Sequence, residues 1–71
     1  MLFLARPSIA IVTEYRKAVD AYKKEDYKTS YNLILPLAKK GFAQAQYNLG
    51  VMYGNGKGVA KDYSKAIKWW N

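Results

Sequence analysis

The stretch Gly41-Phe42-Ala43-Gln44-Ala45-Gln46-Tyr47-Asn48-Leu49-Gly50-Val51-Met52-Tyr53, with the glycine-rich run Gly54-Asn55-Gly56-Lys57-Gly58 and the close Asp62-Tyr63-Ser64-Lys65-Ala66-Ile67-Lys68-Trp69-Trp70, decides the fold. Its first part sets Ala45, Leu49, Met52 and Tyr53 on one face at helical spacing, with Ala43, Tyr47 and Gly50 on the adjoining side. A helix is expected from about Phe42 to Tyr53. Glycine inside a helix costs about 1 kcal/mol against alanine. Gly50 is therefore expected where a neighbouring backbone comes close. The run 54–58 is a loop by composition. Asp62 is expected to cap a further helix with the stripe Tyr63, Ala66, Ile67 and Trp70, at i, i+3, i+4 and i+7.

Upstream, Tyr15, Ala18, Val19 and Tyr22 repeat the same spacing. That helix is expected to open at Thr13 or Glu14 and to close on Lys23 and Lys24, where positive charge suits the carbonyl end. Glu25-Asp26 is a turn, and Asp26 is an N-cap for a helix from about Tyr27 to Lys40. Its stripe is Tyr27, Tyr31, Ile34, Leu35 and Ala38, widened by Leu33 and Leu37. Pro36 falls inside it, so a kink or compensating packing is expected. Gly41 follows as a left-handed terminator. Residues 1–13 read as an apolar leader, either a signal remnant or a tail lying on the first helix.

The helices repeat as pairs. Asp26-Tyr27 and Asp62-Tyr63 are 36 residues apart, while the closing aromatics Tyr22 and Tyr53 are 31 apart. The difference is extra loop within 54–61. Two helix–turn–helix units follow, one with a tight turn and one with a glycine-rich turn. The pattern Gly41-x-Ala43-x-Ala45-Gln46-x-x-Leu49-Gly50-x-x-Tyr53, then Gly56-x-Gly58-Val59-x-x-Asp62-x-x-x-Ala66-x-x-Trp69, resembles one copy of the Sel-one-like (Sel1-like) repeat, a relative of the tetratricopeptide repeat. The resemblance covers residues 38–70, and residues 14–40 look like a degenerate preceding unit. It implies an all-α fold, an α/α solenoid of two antiparallel helical hairpins. It also implies an adaptor for protein complexes without activity of its own. The domain expected is 14–71, divided at 40/41, with the last helix shorter than is usual in the family. Ile67, Trp69 and Trp70 would then form an apolar patch through which open repeat ends could associate.

Composition narrows the chemistry. Among 71 residues there is no Cys and no His, and only five are acidic. Disulfides, thiolate metal sites and the commonest general base are therefore absent. Ser8, Ser30 and Ser64 lack an activating histidine. Lys57 in the glycine run is followed by Gly58 rather than Ser or Thr, so a phosphate loop does not fit. No enzyme, cofactor or metal is expected, and no apolar run is long enough for an integral membrane segment.

Twelve Lys and Arg against five acidic residues give a formal charge of +7. Lys28, Lys39, Lys40, Lys57, Lys61, Lys65 and Lys68 stand against Asp62 alone in residues 27–71. By analogy with helical repeats, the first helix of each unit lines a concave side and the second forms an outer, basic side. The expected groove residues are Gln44, Tyr47, Asn48 and Val51, with Lys17 and Asp20 from the first helix. The leading expectation is a protein or peptide partner bound in that groove. Nucleic acid is disfavoured, because lysines without a recognition motif give only salt-sensitive attraction. Weak polyanion binding through the outer lysines, to nucleic acid or an anionic membrane, is the alternative. A truncated repeat fragment without its own role is another. The compartment stays open: cytoplasmic, or periplasmic or secreted if the leader is a signal remnant.

Overall fold

A computed structural model describes residues 8–70. It contains α1 (Ile9–Lys23), α2 (Tyr27–Lys39), α3 (Ala43–Asn55) and α4 (Tyr63–Trp70), and no strand among the described residues. Each helix packs chiefly on the next in sequence, α1 on α2, α2 on α3 and α3 on α4. The fold is the expected all-α stack of hairpins.

Short polar side chains start three of the helices. Ser8 Oγ accepts from Ile11 N at 3.2 Å, Asp26 Oδ1 from Thr29 N at 3.4 Å, and Asp62 Oδ1 from Lys65 N at 3.1 Å. Such a cap satisfies one of the orphan amides of the first turn and is worth about 1 kcal/mol. The first cap corrects the expected start at Thr13. Ser8 already supplies the oxygen, so α1 begins at Ile9, and Ile11 packs against the core. Residues 9–13 of the expected leader are therefore helical, while residues 1–7 lie outside the described residues.

One device ends the first three helices. Glu25, Gly41 and Gly56 take positive φ of 62°, 90° and 67°. After α1, Glu25 N donates to Tyr22 O and Asp26 N to Ala21 O, both at 2.9 Å. After α2, Gly41 N donates to Ala38 O at 3.0 Å and Phe42 N to Leu37 O at 3.1 Å. After α3, Lys57 N donates to Met52 O at 2.9 Å. A left-handed residue thus turns the chain back and closes the orphan carbonyls. Gly54 and Asn55, expected in the loop, instead extend α3 up to that terminator.

The core runs through the stack. Ala18, Ala38, Ala45 and Ala66 each place a buried methyl on a different helix, around Ile34, Leu37, Leu49 and Met52. In α2 the buried face is Ser30, Ile34, Leu37 and Ala38, while Tyr27, Tyr31 and Leu35 flank it. Ser30 was absent from the expected apolar stripe. Its hydroxyl donates to Ala18 O at 2.8 Å, which removes the penalty of burying it. Pro36 leaves the helix continuous. It is exposed, where water can take the place of the amide it lacks.

The expected α4 stripe is turned. Only Ala66 is buried and Trp69 half-buried, whereas Tyr63, Ile67 and Trp70 remain exposed. This eight-residue helix packs on α3, so a narrow line of side chains suffices to cover the contact. Gly50 is small for a reason other than the expected one. The nearest neighbour is a side chain: the Trp70 indole lies where its Cβ would be, and Trp70 Nε1 donates to Tyr47 O at 3.3 Å. Val59 folds back on the core as expected. Gly58 sits so close to the Tyr27 carbonyl that a Cβ would collide with it.

Two glycine exchanges should move stability in opposite directions. Gly58→Ala adds a collision to a φ of 75° and should cost about 1–3 kcal/mol. Glu25→Gly relieves a left-handed non-glycine residue and should raise stability by about 0.5–1 kcal/mol. Thermal melts followed by circular dichroism read both; a Glu25→Gly melt below that of the wild type would contradict the account of the turn.

Candidate interaction groove

Because α1 and α3 both pack on α2, they stand side by side with a trough between them. Val19, Tyr22 and Lys23 form its α1 wall, and Tyr47, Asn48 and Val51 its α3 wall. Ser30 and Ile34 of α2 and Met52 of α3 complete the lining of a cavity of about 350 Å³. A shallower depression continues from it along Tyr15, Ala43 and Gln44, sharing Tyr47 and Asn48.

The walls are tied together. Asn48 Nδ2 donates to Tyr15 Oη at 2.7 Å, joining α3 to α1 directly. The Tyr15 ring meets Phe42 edge-on at 5.3 Å, and Tyr22 meets Tyr27 edge-on at 4.9 Å. Gln46 Nε2 donates to Ala38 O at 3.1 Å and holds α3 to the end of α2. Tyr47, by contrast, is 63% exposed. Such a trough can take apolar side chains and orient them by a few polar groups. Ser30 Oγ, the hydroxyl in its floor, donates to Ala18 O.

Four of the six expected groove residues line these depressions. Gln44, Tyr47, Asn48 and Val51 do come together along one face of α3. Lys17 and Asp20 line neither depression, and Lys17 pairs instead with Glu14 at 3.2 Å. Tyr15, Val19, Tyr22 and Lys23 stand on the α1 side. Three of these carry the apolar spacing that was assigned to the core. In the patch expected on α4, Trp69 packs on the core, Trp70 lies over Gly50, and Ile67 is exposed.

Beyond the groove, lysines lie over tyrosine rings. Lys57 Nζ is 4.7 Å from the Tyr27 centroid, Lys61 Nζ 5.0 Å from Tyr63, and Lys65 Nζ 5.5 Å from Tyr53. The Tyr31 and Tyr53 hydroxyls share a hydrogen bond of 2.8 Å, their rings edge-on. This bond, then burial, pushes the Tyr31 phenol above its ordinary value of 10.0. No helix among the described residues is long and apolar enough to cross a membrane.

Stacked antiparallel helical hairpins, with a trough on the side of α1 and α3, define an α/α helical-repeat protein. Residues 43–71 match the Sel1 repeat model, so the chain carries a Sel1 repeat over that span. Over 60 residues, 84% of the chain, it is 33% identical to DAP3-binding cell death enhancer 1 of Mus musculus and 32% identical to the protein of that name of Rattus norvegicus. It spans 12% of the length of either relative. No solved structure matches it significantly. Sel1 repeats are generally non-catalytic modules for protein–protein interaction.

The Tyr31–Tyr53 pair should give an alkaline signature. A phenol whose pKa is raised on folding adds stability that is full below the unfolded value and lost as pH rises through the folded one. Tyr31→Phe should cost about 1 kcal/mol at neutral pH. It should also flatten the decline in stability above pH 10.0. Urea titrations at neutral pH and above that value check this; equal declines in both proteins would rule it out.

Proposed function

We propose that this chain is a non-catalytic docking module that holds a segment of a partner protein in the α1–α3 groove. The carrying observation is the 350 Å³ trough whose walls come from two different helices and whose side chains are mostly uncharged. A groove across neighbouring repeat helices is the usual way such stacks present a surface to a partner. The Sel1 repeat at residues 43–71 supports the reading, and so does the name of the rodent relatives, which describes binding to another protein. In this reading α1 and α2 act as a divergent preceding unit, and α3 and α4 as the repeat proper. The finer assignment gives Tyr47 and Val51 the contact surface, with Gln44 at the shallow end and Asn48 bracing the wall.

The test is a groove variant that keeps the stack. Tyr47→Ala combined with Val51→Gln removes an exposed ring and roughens the wall without touching the buried alanines. Tyr47 is exposed and Val51 half-buried, and neither belongs to the buried core, so the melt should fall by no more than about 1 kcal/mol in stability. Proteins captured by the immobilised wild-type chain should be lost by the variant. An identical captured set would remove the groove from consideration.

A further inference from the structure

The groove has one charged lining residue. Val19, Tyr22, Tyr47, Asn48 and Val51 bring no charge to its walls, whereas Lys23 does. Lys23 is exposed, so its stem lines the wall and its ammonium reaches solvent at the rim. It makes no ion pair among the described residues; the pair found there joins Lys17 to Glu14. Asp20, one turn earlier on α1, neither lines the trough nor pairs with Lys23. Two polar groups of the lining are engaged, Ser30 Oγ with Ala18 O and Asn48 Nδ2 with Tyr15 Oη, and the Tyr22 and Tyr47 side chains are neutral phenols.

From this arrangement, and resting on the groove as the docking face, we propose that the occupant is a peptide segment bearing a large apolar side chain beside a carboxylate. The apolar side chain fills the trough between Tyr22, Tyr47 and Val51. Its arrival strips water from one side of the Lys23 ammonium. A neutral occupant leaves that ammonium short of an acceptor, and a basic one adds repulsion. A carboxylate restores the lost hydrogen bonding with a charge-assisted contact. The formal charge of +7 works in the same direction, by drawing acidic segments toward the chain before they dock.

The test is selection of random twelve-residue peptides displayed on phage against the whole immobilised chain, followed by affinities of the enriched peptides for four proteins. These are the wild type, Lys23→Glu, Lys68→Glu and Tyr47→Ala/Val51→Gln. Lys68 lies on exposed α4 outside the groove, so its variant changes net charge equally without touching the site. All four should melt alike. The expected peptides carry Asp or Glu next to Phe, Trp, Leu or Met. They should lose about tenfold or more in affinity with Lys23→Glu and about twofold at most with Lys68→Glu. Peptides that need Tyr47 and Val51 but show no acidic preference would overturn this inference and leave the groove standing. Acidic peptides weakened equally by both lysine variants would reduce the effect to net charge and also overturn it. No enrichment, or enriched peptides indifferent to Tyr47→Ala/Val51→Gln, would overturn both readings.

Discussion

Close approach of helices at alanine sets everything else. Ala18, Ala38, Ala45 and Ala66 are fully or almost fully enclosed, one on each helix. A methyl group at the crossing point lets neighbouring axes come near the lower end of the usual 8–10 Å range. That proximity brings Ser30 within reach of the Ala18 carbonyl and Gln46 within reach of the Ala38 carbonyl. It also fixes the separation of α1 and α3, which Asn48 and Tyr15 bridge with a single hydrogen bond. A leucine at any of these alanines would wedge two helices apart and open the trough along with the core. A single core of this size supplies about 3–5 kcal/mol, so the caps and left-handed terminators are a large share of what keeps the stack closed.

Where the chemistry is local, the sequence is a good guide. Asp26 and Asp62 cap because a carboxylate reaches the amide three residues on, whatever the rest of the chain does. Gly41 terminates because its backbone geometry is local too. The repeat spacing of Ala45, Leu49 and Ala66 likewise survives folding, since each is buried where the periodicity puts it. Partner choice across helices is harder to read. Ser30 looks polar and therefore outward until the Ala18 carbonyl is placed opposite it. Glu25 gives no hint that it is left-handed, because the hairpin imposes that conformation on a residue that does not favour it. Gly50 points to a close neighbour without saying that the neighbour is an indole from twenty residues further along.

The groove divides in the same way. Its α3 wall was legible because Gln44, Tyr47, Asn48 and Val51 fall outside the tightly buried stripe of a helix packed on both sides. Its α1 wall was not. In the stack α1 packs chiefly on α2, so Ala18 and Ala21 take the contact while Tyr15, Val19 and Tyr22 stay half-buried beside α3. An apolar residue on a helix packed chiefly on one neighbour can thus line a depression instead of filling a core, and periodicity alone cannot tell the two apart. Charge was legible as a total but not in its contacts, since three of the outer lysines rest on tyrosine faces.

The arrangement of aromatic side chains gives the molecule its own optical labels. Both tryptophans are neighbours on α4, one half-buried and one seated over Gly50, while the seven tyrosines are spread over all four helices. Ultraviolet excitation at the red edge therefore addresses one short helix alone. Its emission colour gauges how firmly α4 holds to α3, independently of the circular dichroism signal that averages over the whole.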